Sequence, residues 1–497
     1  MIHAVLLSLF IFSFFRIKFL FLFFQQKEYR NKWFLLYVIK EKKLLDTKLS
    51  LCLLVTTFYP YISIPLFFIF GFYEQKFLNK AKKKLVITSR VKRIFVVAIA
   101  LVGLFVWLTY MQGVAVFTLI LTIQFLPFSM ILANLLLSPY EKKVQDDFLK
   151  QAIEKLNKIN PIVIGITGSM GKTSTKHILS HILSGNLPVT FTPGSVNTKM
   201  GIAAFINNKL PEDCKYFVVE MGAYFKGSIK TLCDFVHPKH GIITAIGDSH
   251  YEYFKSKEVV ASAKFELGEE VAKNKGFLLV NQNEIEENLL PKNIPFTKIK
   301  KIENILQTED GLSFKYDGND VFATIYGTHQ VTNIAIAIEL VKNLGMPTNS
   351  ILATLRTLPQ VKHRLEVIDR SGGIKIIDDA YNSNFIGFKS GLKLLQTLGG
   401  RRILITPGMV ELGTLHDEQH YEIGKFAGDK VDIVILVNDE RIPTFVKGFD
   451  KTKQNAILIK VQNFAMAQKW MDENLISGDV VLLENDLPDV YESRVRL

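Results

Sequence analysis

Two apolar stretches, IFVVAIALVGLFVWLTY and VAVFTLILTIQFLPFSMILANLLL, lie within residues 94–137, separated only by Met111, Gln112 and Gly113. About 20 apolar residues in a helix match the hydrocarbon thickness of a bilayer. A soluble domain would need a very large core to hide two such runs in succession, so the pair reads as a membrane-spanning helical hairpin, with core helices of a soluble domain as the alternative. Two earlier runs are less regular: residues 4–24 carry Arg16 and Lys18, and residues 51–73 carry Pro60 and Pro65. Each of them either spans, re-enters or lies in the interface. The first lacks the charged start and small-residue cleavage site of a secretory signal, and it reads as a retained segment.

The formal net charge of +13 invites a nucleic-acid reading, but its distribution argues otherwise. Residues 1–150 hold 20 Lys and Arg against 7 Asp and Glu, and the rest of the chain balances at 40 of each. Basic residues beside apolar runs mark the cytoplasmic flanks of membrane segments. Seven lie within 25–50, eight within 74–93, and none in the hairpin turn. Membrane lipids, and no nucleic acid, are therefore the expected partners, with everything beyond residue 140 on the cytoplasmic face of the cytoplasmic membrane. Cys52, Cys214 and Cys233 show no CxxC spacing, which points to neither a disulfide framework nor a zinc site.

Residues 1–140 are read as the membrane region and 141–159 as a linker. From residue 160 short apolar runs alternate with amphipathic segments, the pattern of a parallel sheet covered by helices. The run PIVIGITG is a buried strand, followed by Gly168, Ser169, Met170, Gly171, Lys172, Thr173 and Ser174 and then a helical segment. Strand, glycine turn and helix come in the order a phosphate cradle requires. Lys172 suits the terminal phosphates and the Thr173 hydroxyl suits Mg²⁺. The strict GxxxxGK[ST] spacing fails because position 166 is Ile, leaving the shorter GxxGKT. Farther on, YFVVEMGA is a strand ending in Glu220, a carboxylate at the edge of the sheet where such folds bind ligands. His250 follows, and Lys264 lies on a later helix beside Glu266.

Together these residues resemble the Mur ligase family of ATP-dependent amide-forming enzymes in peptidoglycan synthesis, most closely its D-alanyl-D-alanine-adding branch. The resemblance runs from about residue 160 to near the C-terminus. The family loop is TGxxGKT, which accounts for the missing first glycine. PGSVNTKMGIA resembles the segment that places Asn197 and Thr198 on the substrate side, and VVEMGAYFKGSI the ExGAxxxGEI motif, assigning Glu220 to magnesium. SHYEYFKS resembles HLExFGS, making His250 a further metal ligand, and Lys264 falls where the family carries a carbamylated lysine. YGTHQVTNIAIAIEL resembles a turn in which His329 and Asn333 face the adenine. LPQVKHRLEVI resembles the hinge into a C-terminal domain, where Arg364 would reach the nucleotide phosphates. IIDDAYNSNFIGF resembles DDSYNANP, placing Asp379 on the ribose and Tyr381, Asn382 and Asn384 near the incoming dipeptide, with Phe385 in place of the family proline. RRILITPGMVELG resembles a following strand and loop that would bring Glu411 and His416 or His420 toward the substrate.

The resemblance implies an α/β protein: a P-loop-type ATP-binding domain over 160–358 and a Rossmann-like domain over 359–497, after the helical membrane region. It implies ATP, two Mg²⁺ ions, and a muropeptide precursor and D-Ala-D-Ala as substrates, joined through an acyl phosphate, with the chain expected to act as a monomer. The front of the chain departs from the family, because membrane segments stand where a soluble domain normally grips the uridine diphosphate. Either the remaining two domains hold the sugar nucleotide, or the acceptor is different. The alternatives are a relative extending another acidic peptide or a lipid-linked precursor, and a non-catalytic membrane scaffold.

Overall fold

The computed structural model describes residues 2–485 except 28, 41–46, 56–59, 81–83, 112–114, 186, 224, 248–255, 382 and 411. The chain divides into two compact units, the first from residues 1–147 and the second from 148–487.

The first unit is helical: α1 (Ile2–Gln26), α2 (Asn31–Lys40), α3 (Thr47–Val55), α4 (Ser63–Lys80), α5 (Ser89–Met111) and the start of α6 (Ala115–Ile159). By length and composition, the stretches His3–Gln26, Ser89–Thr109 and Thr118–Ile159 are suited to cross a bilayer. The run 51–73 is not among them, since it is divided between α3, a 3₁₀ turn at Pro60–Ile62 and α4. Arg16, the blemish in the first apolar run, is buried and donates to Glu74 on α4 at 2.5 Å. A charge in so apolar a setting persists only when paired. Polar clamps recur between the other helices. Arg93 binds Glu141 with two hydrogen bonds of 2.6 and 2.9 Å, and Asn134 donates to Asn31 Oδ1 at 2.9 Å and accepts from Arg90 at 3.2 Å. Residues 141–159, expected as a linker, are helical throughout as the last part of α6.

The second unit holds a parallel and a mixed six-stranded α/β sheet, with a small antiparallel sheet between them in sequence. The central one is built from β1 (Ile162–Thr167), β2 (Val189–Phe191), β3 (Tyr216–Glu220), β4 (His240–Ile243), β5 (Leu278–Val280) and β6 (Thr297–Lys298), in the order β2-β3-β1-β4-β5-β6. Its helices are α7 (Lys172–Ser184), α8 (Lys199–Lys209), α9 (Ser228–Val236) and α10 (Lys257–Lys273). A three-stranded antiparallel sheet, β7 (Ile302–Thr308), β8 (Gly311–Tyr316) and β9 (Asn319–Ala323), comes next, then α11 (Gln330–Asn343) and α12 (Thr348–Leu355). Side chains alternate across a strand, and here the alternation feeds two cores. Val163 and Val219 pack with Ile202, Leu232 and Val260 of α8, α9 and α10. Ile164 and Val218 pack with Ile178, Ile334 and Ile351 of α7, α11 and α12 and with the three-stranded sheet. Continuous burial on both faces is why these strands read as unbroken apolar runs.

The second sheet runs β10-β11-β15-β12-β13-β14, from β10 (Glu366–Arg370), β11 (Ile374–Asp379), β12 (Arg402–Thr406), β13 (Ile433–Val437), β14 (Ile457–Val461) and β15 (Val480–Glu484); only β10 is antiparallel to its neighbour. Its helices are α13 (Phe385–Leu398), α14 (His416–Ala427), α15 (Pro443–Thr452) and α16 (Phe464–Asn474). Helices α14 and α15 cross at two glycines. A Cβ on Gly424 would stand 2.1 Å from the Phe445 carbonyl oxygen, and one on Gly448 2.0 Å from that of Tyr421. Gly448→Ala should cost about 1–3 kcal/mol through overpacking, more than the roughly 0.5–1 kcal/mol gained in helix propensity. A lowered melting temperature is expected, and an unchanged one would contradict this packing.

Candidate active site

Strand β1 is the topological switch point of the central sheet, with β3 on one side and β4 on the other. The crevice beyond the carboxyl ends of these strands is where open α/β sheets bind ligands. Gly168 leaves β1 with φ 154°, and a Cβ there would lie 1.9 Å from Thr244 Oγ1. Gly171 caps α7 with φ 81°, and its Cβ would meet Asn333 Oδ1 at 2.5 Å. Both positions therefore demand glycine. Ser169 ties the loop to the segment after β4: its N–H donates to Ala245 O at 2.8 Å, and its hydroxyl exchanges hydrogen bonds with the Gly247 backbone at 3.0 and 3.1 Å. The start of α7 has no side-chain cap, which leaves its first N–H groups for an anion. Lys172 is curled over the loop, with Nζ 2.7 Å from Gly168 O and 3.3 Å from Ser169 O.

Behind the loop lies Glu220, at the end of β3 and almost fully buried. Its Oε2 accepts from Thr173 Oγ1 at 2.9 Å and from Lys176 Nζ at 3.1 Å, and its Oε1 from Asn197 Nδ2 at 3.2 Å. A carboxylate and a hydroxyl side by side are hard oxygen donors of the kind Mg²⁺ takes. Lys264, 3% exposed on α10, is held well below the usual lysine range by burial and then by the charge of Lys172. Burial also lowers Lys172 and Lys176, with Glu220 opposing the shift in both. Lys172 and Lys176, both within reach of the Glu220 charge, suit a polyanionic ligand. His250, the other expected metal ligand, lies outside the described residues.

The loop forms one wall of a cleft of about 530 Å³; Asn281, His329 and Asn333 line it from the central domain, and Arg364, Asp379, Ser383 and Asn384 from the C-terminal domain. Asn281 Oδ1 and His329 Nδ1 are buried without a hydrogen-bond partner. Orphaned polar atoms in a cleft wall call for a polar ligand, and a nucleotide offers one. Burial, then the charge of Arg364, lowers the His329 pKa to about 4, so its ring is neutral. Asn333 braces the loop: its Oδ1 accepts from Thr175 Oγ1 at 3.1 Å and its Nδ2 donates to Gln330 at 2.8 Å, while Gln330 donates to Ser174 Oγ at 3.2 Å. Arg364 sits over the Tyr381 ring, 4.6 Å from its centroid. Asp379 has its carboxyl pushed up by burial, against the pull of Arg364. Glu484, at the end of β15, is fully buried beside it and accepts from Ser383 Oγ at 2.5 Å.

Some expected residues have structural work in addition. Thr198 caps α8, accepting from Gly201 N at 3.4 Å, and Asn384 caps α13, accepting from Gly387 N at 3.0 Å. Asn382 and Glu411 lie outside the described residues. His416 and His420, one or the other of which the resemblance would bring toward the substrate, both take part in the domain's internal bonding. His420 Nε2 accepts from Met409 N at 2.9 Å and its Nδ1 donates to His416 O at 2.6 Å, while His416 Nε2 donates to Arg441 O at 2.8 Å. Lys176, Gln330 and Glu484 are not singled out by the sequence, because each is a polar residue inside a helical or strand pattern with a partner far along the chain, and Asn281 is an isolated asparagine after a short strand.

Residues 166–341 match the Mur ligase middle domain and residues 363–484 the Mur ligase glutamate ligase domain. The chain is 29% identical over 364 residues to the UDP-N-acetylmuramoyl-tripeptide–D-alanyl-D-alanine ligase of Bacillus subtilis, covering 68% of this chain and 78% of that one. It is 30% identical over 302 residues to the enzyme of the same name from Mycobacterium tuberculosis, covering 55% and 58%. Its structure is similar to that of the Thermotoga maritima MurF ligase in complex with ADP, with a TM-score of 0.60, 26% identity, and coverage of 70% and 82%. With both family domains matched in order over well over half its length, the phosphate loop and Arg364 lining one cleft, and Glu220 bonded to Thr173 of that loop, this chain belongs to the Mur ligase family.

Proposed function

We propose that the chain is an ATP-dependent ligase that adds D-alanyl-D-alanine to a UDP-N-acetylmuramoyl-tripeptide precursor in peptidoglycan synthesis. The observation that carries this reading is the shared cleft, in which the phosphate loop faces Arg364, Asp379 and the Ser383–Asn384 segment across the two domains. One domain is thus suited to present the γ-phosphate and the other the incoming amine. The peptide carboxylate attacks the γ-phosphorus, the bond to ADP breaks, and an acyl phosphate forms. The amine then adds to the acyl carbon and phosphate leaves. Backbone N–H groups of the loop, Lys172 and Arg364 balance the charge that moves between these oxygens, where preorganised donors count most. Lys172→Ala should lower turnover by about 10²–10³-fold, the usual cost of one such donor, with little change in melting temperature. Near-normal ADP release in the presence of both substrates would contradict the loop assignment.

Thr173 and Glu220 would hold Mg²⁺, with His250, and the ion would supply charge neutralisation between phosphate and carboxylate oxygens. Lys264 contributes by being neutral: a free amine adds CO₂ and loses a proton to give an anionic carbamate, where an ammonium would repel the metal. The lowered proton affinity of Lys264 is what supports this reading. Lys264→Ala should be nearly inactive, and formate or acetate should restore part of the activity by standing in for the carbamate. Full activity of the alanine variant would remove Lys264 from the site.

We further propose that the first unit anchors the enzyme to the cytoplasmic face of the membrane and supplies no reacting group. Three apolar helices of spanning length and the basic segments beside them support this. A chain starting at residue 141 keeps Phe148, Leu149, Ala152 and Leu156 packed on the central core. It should be soluble and still ligate a soluble tripeptide precursor with ATP. Activity only on a lipid-linked acceptor presented in vesicles would show instead that the anchor takes part in substrate selection.

A further inference from the structure

Lys176 has no part in the reaction just described, yet it is one of the most deeply buried charged side chains in the protein, with 0% exposure on the second turn of α7. Burying an ammonium is costly unless its hydrogen bonds are met. Its Nζ donates to Glu220 Oε2 at 3.1 Å and to the backbone carbonyl of Gly194. Thr173 and Lys176 stand three residues apart, on one face of the helix, and both reach the same carboxylate oxygen. Asn197 holds the other oxygen. The Gly194 carbonyl belongs to the segment that leads from β2 to Asn197, so Lys176 joins the carboxylate, the helix and that segment at one point.

We propose that Lys176 is a positioning residue for the metal site: it fixes the rotamer of Glu220, so that the carboxylate stays aimed when the Thr173 hydroxyl turns from it to the metal. The proposal rests on the reading of Glu220 and Thr173 as the metal-holding pair. An ammonium near a divalent cation also repels it, and the two effects have opposite signs when the lysine is removed. If repulsion dominated, the metal would bind more tightly without Lys176. If positioning dominates, it binds more weakly, as loss of a residue that orients a metal ligand commonly does by 10–100-fold.

The test uses the full chain in detergent, with Mn²⁺ as a spectroscopic probe and ADP as the nucleotide. Electron paramagnetic resonance titration should give a Mn²⁺ dissociation constant about tenfold weaker for Lys176→Met in the presence of ADP. ADP affinity in EDTA and the melting temperature should stay near those of the unmodified protein. Lys176→Gln, which keeps a donor without the charge, should fall between the two. Unchanged or tighter Mn²⁺ binding overturns the proposal. So does parallel loss of metal-free ADP binding, or failure of both variants to fold, since Lys176 would then serve the fold alone. An unmodified chain that binds no Mn²⁺ with ADP would refute the ligase reading itself, and the proposal with it.

Discussion

A single buried carboxylate, Glu220, organises the hydrogen bonding behind the phosphate loop. It stands at the end of β3 and collects donors from α7 and from the segment after β2. Its backbone N–H is also bound, by Thr192 Oγ1 at 3.2 Å. A buried carboxylate is expensive unless every lone pair is engaged. Satisfying it fixes the first turns of α7, and with them the phosphate loop that α7 terminates. The loop geometry then follows from two glycines packed against Thr244 and Asn333, where no side chain fits.

The second half of the site depends on the first through packing. Helix α11 carries Gln330 and Asn333 onto the back of the loop, and its first residues adjoin His329 in the cleft wall. The hinge residues that follow have unusual backbones: His363 and Leu365 both lie at positive φ, 58° and 51°, on either side of Arg364. Non-glycine residues pay for such conformations and keep them where the surroundings dictate them. His363 is fixed by Asp378 at 2.8 Å and by Glu366, whose carboxylate accepts from its N–H at 3.1 Å, and Arg364 is thereby presented to the cleft.

Much of this was legible because it is local. GSMGKT announces a strand-to-helix turn that needs glycine, and a carboxylate closing an apolar strand marks the sheet edge. The partnerships that complete the site are not local. Lys176 and Glu220 are 44 residues apart, and Thr175 and Asn333 are 158. No pattern within a helix distinguishes a lysine bound for a buried carboxylate from one facing water. Residues 141–159, expected as a linker, continue α6, and Ala152 and Leu156, one helical turn apart, are buried against the central core. The helical period was present, and charge obscured it. His416 and His420 came into consideration only through the family resemblance of RRILITPGMVELG, and the structure engages their ring nitrogens with the domain's own backbone. The blemish at Arg16 in an apolar run is met by Glu74, 58 residues away.

The cleft has two owners, the central sheet and the C-terminal sheet. A ligand filling it touches both, so its binding free energy is also cohesion between the domains. Whatever binds the joined form and not the separated one stabilises it by RT ln(1 + [L]/Kd). An empty cleft therefore does more than idle the enzyme: it removes part of what holds the two halves together.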